Sequence, residues 1–294
     1  EELLKIQNTA YAKTSMRMRI YSLFLIFLMI FTFYLGKYAE RPTLVMPSDP
    51  QDAGLGCHLV SLIGFLNYCN EHKIDSFKVD FSKGVYSHKE LGPNWWQYFF
   101  KPIEKDSTMA KIARFLKCTR YKKIAAHQIQ FFNNDTEFFM TRTRGAQLVK
   151  QYIHLKPDIA KELETFKEKY FKGHTVIGVH YRGTDKKTEA PPVPFKKVAH
   201  VISRTLENLE TETKIFVATD SQSFLDFIEE SFPGLVIKTD AIRSQDEKPL
   251  HLGDHTTSAS YRYLQGKETV IDALLLGQTD FLIRTSSYLS LFST

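Results

Sequence analysis

A dense group of polar residues follows an apolar stretch in the segment HTVIGVHYRGTDKKTEA, residues 174 to 190. Imidazole, charged and hydroxyl side chains crowd around one glycine there: His180, Arg182, Thr184, Asp185, Lys186, Lys187 and Glu189. An arginine supported by loop amides suits a diphosphate, because its planar fork of N–H donors matches the phosphate oxygens. Arg182 is therefore the candidate diphosphate-binding residue, with Lys186 or Lys187 adding charge. Glu189 is the candidate general base for an acceptor hydroxyl.

Other chemistries find less support in the residues. The chain contains no Asp-x-Asp, so a metal clamp on the diphosphate is not expected. It has neither a Gly-x-Ser-x-Gly elbow nor a Gly-Lys-Ser/Thr phosphate loop. His251 and His255 are four apart, but in the glycine-bearing segment PLHLGDH this spacing does not predict a metal site. Three cysteines without zinc spacing exclude a disulfide framework and leave one bridge open.

The second half of the chain alternates between strand and helix patterns. TVIGVHY, KIFVATD, LVIKTD and DFLIRTSS read as strands, and FKKVAHVISRTLENL, SQSFLDFIEESF and KETVIDALLLGQT read as helices. This alternation predicts a parallel sheet covered on both faces. Three strands end in polar residues (VHYRGTD, VATDS and IRTSS), and ligands bind beyond the carboxyl ends of such strands. We expect a binding site there; the alternative is that these ends simply meet water.

The first half contains fewer signals. TLVMP predicts a buried strand, followed by a glycine-bearing loop and an amphipathic helix over residues 58 to 69. Such an arrangement suits a phosphate or sugar at the helix N-terminus, although a tight turn is the alternative. FKVDFS predicts the next strand. In LGPNWWQYFFKPIE, the rings of Trp95, Trp96 and Tyr98 either stack on sugars or, as we favour, pack between domains. RGAQLVKQY predicts a helix that Pro157 separates from a second one, and we place a domain boundary near residue 150.

Size and charge suit two domains of ordinary size. The chain has 294 residues, a formal charge of +6 and a sequence pI of about 9.0. A mild basic excess suits phosphate-bearing ligands. Nucleic acid is not an expected partner, because no aromatic-basic module or zinc pattern is present.

An apolar run near the N-terminus predicts a membrane anchor over residues 20 to 36, after a cytosolic tail of residues 1 to 19. Lys13, Arg17 and Arg19 precede the run, so the positive-inside rule places the main domain across the membrane, a single-pass type II topology. A short span favours thinner secretory membranes and hence the Golgi. A buried helix or a signal-peptide core is the alternative. Because the chain begins with Glu and ends at SYLSLFST, both ends are expected to be cut short.

Four motifs, in order, resemble those of the α1,6-fucosyltransferases and their rhizobial nodulation relatives. HYRGTDK is similar to the His-x-Arg-x-Thr-Asp-Lys motif, and FVATDS to the Ala-Thr-Asp segment. VIDALLLGQTDFLIRTSS resembles the closing motif, and GLGCHL the Gly-x-Gly-Cys-Gln-Leu loop. The resemblance implies an α/β, GT-B-like fold of two Rossmann-like domains. Residues 42 to 150 would face the acceptor, and residues 151 to 294, cut short at the C-terminus, would bind GDP-fucose.

The resemblance also implies an activity and a role for individual residues. The family is inverting and metal-independent, transfers fucose from GDP-fucose to a glycan hydroxyl, typically α1,6 to an N-acetylglucosamine, and needs no cofactor. Arg182 would hold the β-phosphate with help from Lys186, and His180 and Asp272 would recognise guanine. Glu189 falls at the position of the proposed base if one residue is deleted after Lys186. The donor pocket would be completed by Asp220, Ser286, Ser287 and the amides around Gly54 and Gly56.

The chain departs from the family pattern at several positions. Gly183 replaces a second motif arginine, His58 a glutamine of the glycine loop, and Gln51 a basic residue before that loop. Tyr288 and Leu289 follow the paired serines where a glutamine is typical. Two alternatives therefore stay open: a catalytically silent sugar-nucleotide-binding protein, and a glycosyltransferase with another nucleotide sugar.

Overall fold

Two compact units make up the chain. The structure, a computed structural model, describes residues 2–39, 42–48, 53–124, 140–184, 192–246 and 258–294. The first unit comprises Glu1–Val45, Asp75–Lys78 and Glu104–Lys122, and the second comprises Met46–Ile74, Val79–Ile103 and Lys123–Thr294. The domain boundary near residue 150 stays a prediction.

The first half of the chain contributes a small sheet and its helices. In chain order its elements are α1 (Glu2–Ala39), β1 (Thr43–Pro47), α2 (Leu55–Glu71), β2 (Ser76–Asp80), α3 (Trp96–Phe99), β3 (Glu104–Asp106), α4 (Thr108–Phe115) and β4 (Tyr121–Lys123). The strand order is β3-β2-β1-β4, and β2 pairs antiparallel with β3. The strands predicted over TLVMP and FKVDFS are both confirmed.

The second half folds around a parallel sheet. Its elements are α5 (Arg142–Tyr152), α6 (Pro157–Tyr170), β5 (Thr175–Tyr181), α7 (Phe195–Leu206), β6 (Thr213–Thr219), α8 (Gln222–Ser231), β7 (Val236–Ile237), α9 (Ala259–Leu276), β8 (Phe281–Arg284) and α10 (Tyr288–Phe292). The strand order is β7-β6-β5-β8, and each neighbouring pair is parallel. The predicted parallel sheet is confirmed.

Burial explains why the two central strands are mainly apolar. Ile177, Val179, Ile215 and Val217 pack against side chains of α7 and α8 on one face of the sheet. On the other face α9 contacts β5 and β6, and α6 brings Phe166 against Phe216 of β6. A strand that is covered on both faces has a continuous hydrophobic sequence, and its polar residues lie at its end.

Element boundaries differ from the sequence prediction in three places. Helix α2 begins at Leu55 rather than at residue 58, with Gly54 as its N-cap. Helix α9 begins eight residues before its predicted start, because the Ser258 hydroxyl accepts a hydrogen bond from the Tyr261 N–H and caps the helix. Strand β7 has only two residues. The chain beyond it leaves the sheet and forms hydrogen bonds with side chains of α9.

The aromatic segment between β2 and β3 forms part of the core of the second unit. Trp95, Trp96 and Tyr98 are buried. Each indole N–H donates to a backbone carbonyl, that of Trp95 to Lys83 and that of Trp96 to Lys101, both at 2.9 Å. Stacking of these rings on sugars was the wrong alternative, since their faces are already covered by protein.

Candidate active site

The polar ends of β5, β6 and β8 meet at one edge of the parallel sheet. The Arg182 N–H, just beyond β5, donates to the Thr285 hydroxyl beyond β8 at 3.0 Å. The Gly183 N–H and the Thr184 hydroxyl donate to the Asp220 carboxylate, beyond β6, at 2.8 and 2.7 Å. The parallel register causes this meeting, because it sets His180 beside Ala218 and Arg284.

Asp220 fixes the direction of the Arg182 guanidinium. Its Oδ2 lies 3.0 Å from Arg182 Nη1, and its side chain is only 9% exposed, against 25% for Arg182. A carboxylate that also accepts the Gly183 N–H and the Thr184 hydroxyl cannot turn away without losing charge-assisted hydrogen bonds. The arginine is therefore held in place before any ligand arrives.

A cavity of about 320 Å³ opens beside this cluster, within the second unit. Most of the sequence-predicted donor-binding residues line it: Gly54, Gly56, His180, Arg182, Asp220, Asp272 and Ser287. Ser286 is exposed and is not part of the lining. Lys186 and Glu189 lie outside the described residues, as do His251 and His255. Residues more than two hundred positions apart in the sequence thus line one cavity.

The N-terminus of α2 forms one wall of the cavity, from Ala53 to Cys57. Gly54 caps the helix without a side-chain hydrogen bond, and the Leu55 N–H donates to the Tyr86 hydroxyl at 3.2 Å. A helix N-terminus carries partial positive charge and favours anions. Gly56 is needed for close packing, because a Cβ there would lie 2.5 Å from the backbone nitrogen of Leu289.

Two buried titratable groups, His180 and Asp272, line the cavity. Burial lowers the pKa of His180 to about 4, so its ring is neutral at pH 7, and its Nδ1 has no hydrogen-bond partner among the described residues. Burial raises the pKa of Asp272 to about 6, and one carboxylate oxygen accepts the Thr239 hydroxyl at 2.7 Å. Buried polar atoms normally find partners, so a cavity lined by such groups suits a polar ligand.

Sequence reasoning identified Asp272 but missed several other residues of the lining, above all the polar residues that share its face of α9. Gln265, Glu268, Thr269 and Asp272 all face the cavity. Their spacing of three or four residues puts them on one face of the helix. Polar residues at this spacing, in a helix that otherwise looks apolar, could have predicted that one face of α9 lines a polar site. Tyr86, in the first half of the chain, gave no comparable signal.

The chain after β7 is held against α9 by a small set of polar contacts. The Ile242 N–H donates to the Glu268 carboxylate at 3.0 Å. The Arg243 guanidinium donates to the carbonyls of Ala241 and Thr239 at 2.7 and 3.0 Å. Because Ala241 and Ile242 line the cavity, these contacts fix the wall that faces Asp272.

Two departures from the motif pattern have local structural reasons. A Cβ at Gly183 would lie 3.0 Å from carbon atoms of Ser221 and Tyr181, so the position favours glycine. His58 is buried, lies 3.2 Å from the Gly54 carbonyl through Nδ1, and packs edge-on against the Phe81 and Trp95 rings. His58 is therefore a core residue of α2, whereas Tyr288 and Leu289 line the cavity. Gln51 lies outside the described residues.

Comparison with known proteins identifies the fold. No protein-family model matches the sequence. The structure matches that of NodZ α-1,6-fucosyltransferase co-crystallised with GDP with a TM-score of 0.58 and 19% sequence identity, over 86% of this chain and 92% of that one. NodZ α-1,6-fucosyltransferase soaked with GDP-fucose gives a TM-score of 0.59 at 17% identity, over the same shares of the two chains. Fucosyltransferase NodZ from Bradyrhizobium gives 0.58 at 18% identity, again over 86% and 92% of the two chains.

The chain has the GT-B fold of the NodZ fucosyltransferases. The likeness confirms the predicted α/β class and the fold implied by the four sequence motifs. At this level of identity it shows the fold and not the reaction. Among the described residues, no group of three or more His, Cys, Asp or Glu side chains is placed to hold a metal ion.

Proposed function

We propose that the protein is an inverting, metal-independent fucosyltransferase that moves fucose from GDP-fucose to a glycan hydroxyl, α1,6 to an N-acetylglucosamine. One observation carries the proposal: a single cavity joins an oriented arginine, a helix N-terminus and two buried groups that can recognise a base. This cavity lies in a fold shared with a protein crystallised with GDP and soaked with GDP-fucose.

Nucleotide binding follows from the chemistry of the lining. Asp272 accepts from the N–H groups on the guanine edge, and the neutral His180 ring offers one donor and one acceptor. Arg182 and the α2 N-terminus bind the diphosphate. Ser287 and the amides around Gly54 and Gly56 complete the donor site. GDP-fucose is a substrate here, and no resident cofactor is required.

Transfer requires a leaving group and a base. The acceptor oxygen forms its bond to fucose C1 while the bond from C1 to the β-phosphate oxygen breaks, and the electron pair stays with GDP. Arg182, assisted by Lys186, stabilises the negative charge that develops on that oxygen. Glu189 takes the acceptor proton on the opposite side of the sugar, so configuration at C1 inverts.

Replacing Glu189 with Gln tests the base. We expect kcat to fall about a hundredfold with unchanged GDP affinity, because the amide cannot accept the proton while the nucleotide contacts remain. Turnover is compared with calorimetric GDP binding, and Glu212→Gln on the exposed surface serves as the matched control. If turnover is unchanged, Glu189 is a surface residue of the KKTEAPP segment and not the base.

The proposed activity is tested directly with labelled GDP-fucose on a glycan array, in the presence and absence of EDTA. We expect transfer to glycans that carry a terminal or core N-acetylglucosamine, and equal rates with the chelator, because Arg182 supplies the positive charge. Inactivation by EDTA that Mn²⁺ or Mg²⁺ reverses would contradict the metal-free mechanism. GDP binding without transfer or donor hydrolysis would favour a silent nucleotide-binding protein.

Helix α1 supports a location for this activity. Its segment Met16–Lys37 is long and apolar enough to cross a membrane, with a mean hydropathy of 2.0, and its side chains are largely exposed. We propose that it is a signal-anchor of a single-pass type II protein of the Golgi. The catalytic domain then lies in the lumen, where GDP-fucose must be supplied by a transporter.

Protease protection tests this topology. In sealed vesicles that carry the full chain, we expect the catalytic domain to survive added protease and to be digested once detergent is present. The clustered Lys13, Arg17 and Arg19 before the span are the reason for this orientation. Digestion of the domain without detergent would reverse the topology.

A further inference from the structure

A surface of the first unit combines exposed apolar side chains with basic ones. Phe115, Leu116 and Tyr121 are 86%, 46% and 54% exposed, and no other large apolar side chains outside α1 are exposed so close together in the described part of the chain. Exposed basic side chains flank them in the sequence. We call this surface the α4 patch; it consists of Phe115, Leu116, Tyr121, Lys111, Lys117, Arg120 and Lys122.

The charged residues of the α4 patch are all basic. Residues 107 to 122 contain five basic residues and no acidic residue. Of these five, Arg114 forms an ion pair with Asp106 of β3. The four basic residues of the patch are exposed, so they give this surface a local positive potential that attracts anions.

The turn at the end of α4 presents its apolar residues outward. The Cys118 N–H donates to the Ala113 carbonyl at 2.9 Å and the Lys117 N–H to the Arg114 carbonyl at 3.0 Å. Lys117 takes a left-handed conformation, with φ +56°. This is a Schellman-type helix end, which fixes the turn. Phe115 and Leu116 are thereby held at the surface, where contiguous apolar side chains mark an interaction site.

The position of α4 indicates which partner this surface meets. Within the first unit, α4 packs against α1, the helix proposed above as the membrane anchor. An aromatic residue at a helix end, flanked by lysines and arginines, is the composition of segments that lie in the membrane interface. The α4 patch therefore lies on a helix that contacts α1.

We propose that the α4 patch is a second membrane contact, in which Phe115 and Leu116 insert among lipid acyl chains and the basic residues bind the phosphates of lipid headgroups. The inference rests on α1 being in the membrane and is independent of fucosyl transfer. It gives the first unit an attachment to the bilayer surface in addition to its single helix.

The test uses the full chain in lipid vesicles, with the photoreactive amino acid p-benzoylphenylalanine in place of Phe115. The matched control carries it in place of Phe281, an exposed phenylalanine of the second unit. Flotation first establishes that α1 holds the protein to the vesicles. Irradiation then measures crosslinking to acyl chains in neutral vesicles and in vesicles with phosphatidylserine.

We expect crosslinking at 115 to exceed that at 281 severalfold. Because each basic residue near an anionic surface contributes about fivefold in affinity, Lys117→Gln should reduce crosslinking about fivefold in the anionic vesicles. Equal crosslinking at the two positions in protein that floats would overturn the proposal. Loss of crosslinking on adding a soluble acidic polysaccharide would assign the patch to anionic glycans instead. Protein that does not float would overturn both the anchor and the second contact.

Discussion

Replacing Arg182 with Ala should lower kcat/KM for fucosyl transfer about a thousandfold. Its guanidinium lines the cavity at the carboxyl edge of the sheet and is oriented by Asp220 at 3.0 Å. Loss of one preorganised donor to a developing oxyanion costs 10² to 10³ in kcat, and a charged, bidentate donor costs more. A variant that kept more than about a tenth of kcat/KM, equivalent to roughly 1.4 kcal/mol, would exclude Arg182 from the diphosphate site.

Two further variants separate chemistry from folding. Arg182→Lys should restore part of the binding but not the rate, because an ammonium lacks the fork that spans two phosphate oxygens. Arg204→Ala, on the exposed face of α7, should leave kcat/KM unchanged. Removal of Arg182 leaves Asp220 with the Gly183 and Thr184 donors, so Tm should fall only slightly. A large fall in Tm would mean that the lost activity reports unfolding.

The sheet and the site edge could be predicted from sequence because both depend on local patterns. A strand buried on both faces must be apolar over its central residues, as β5 and β6 are, and its polar residues must then lie at its ends. Parallel register brings those ends together without further information. Arg182, Asp220 and Thr285 are therefore neighbours because each follows one of three parallel strands, β5, β6 and β8, that the sequence predicts separately.

The rest of the site depends on contacts that no local pattern encodes. Tyr86 reaches the Leu55 N–H across 31 positions, and Glu268 accepts from Ile242 across 26. These pairs are set by how α2, α9 and the chain after β7 pack, and packing overrides local preference. For the same reason the burial of Trp95 and Trp96 could not be separated from a sugar-stacking role by composition alone.

Replacing Asp272 with Ala should weaken GDP binding about a thousandfold. The proposed guanine contact pairs two N–H donors with one carboxylate, and charged hydrogen bonds contribute about 1.5–3 kcal/mol each. Without the carboxylate, the donors of the base enter a buried site unpaired. Affinity is measured by calorimetry, with Asp226→Ala on α8 as the matched control. If affinity is retained within about tenfold, the carboxylate does not contact the base.

The pH dependence of donor binding should identify the same carboxylate. Burial raises the pKa of Asp272 from 3.8 to about 6, so below pH 6 the group takes up a proton and no longer accepts from guanine. Affinity for GDP-fucose, whose diphosphate does not titrate in this range, should then fall about tenfold per pH unit. His180 stays neutral down to about pH 4 and cannot cause this change.

Stability of the unliganded protein should change in the opposite direction over the same range. Between pH 3.8 and about 6 the folded protein holds a proton on Asp272 that the unfolded chain has lost. The contribution of this group to stability is therefore present at low pH and is lost as the pH rises through 6.

Thr239, Arg243 and Glu268 are the groups that act on Asp272, and the negative charge of Glu268 raises the pKa of Asp272. Glu268→Gln should therefore shift the decline in GDP-fucose affinity to lower pH, while a decline unmoved by that substitution would assign it to another group.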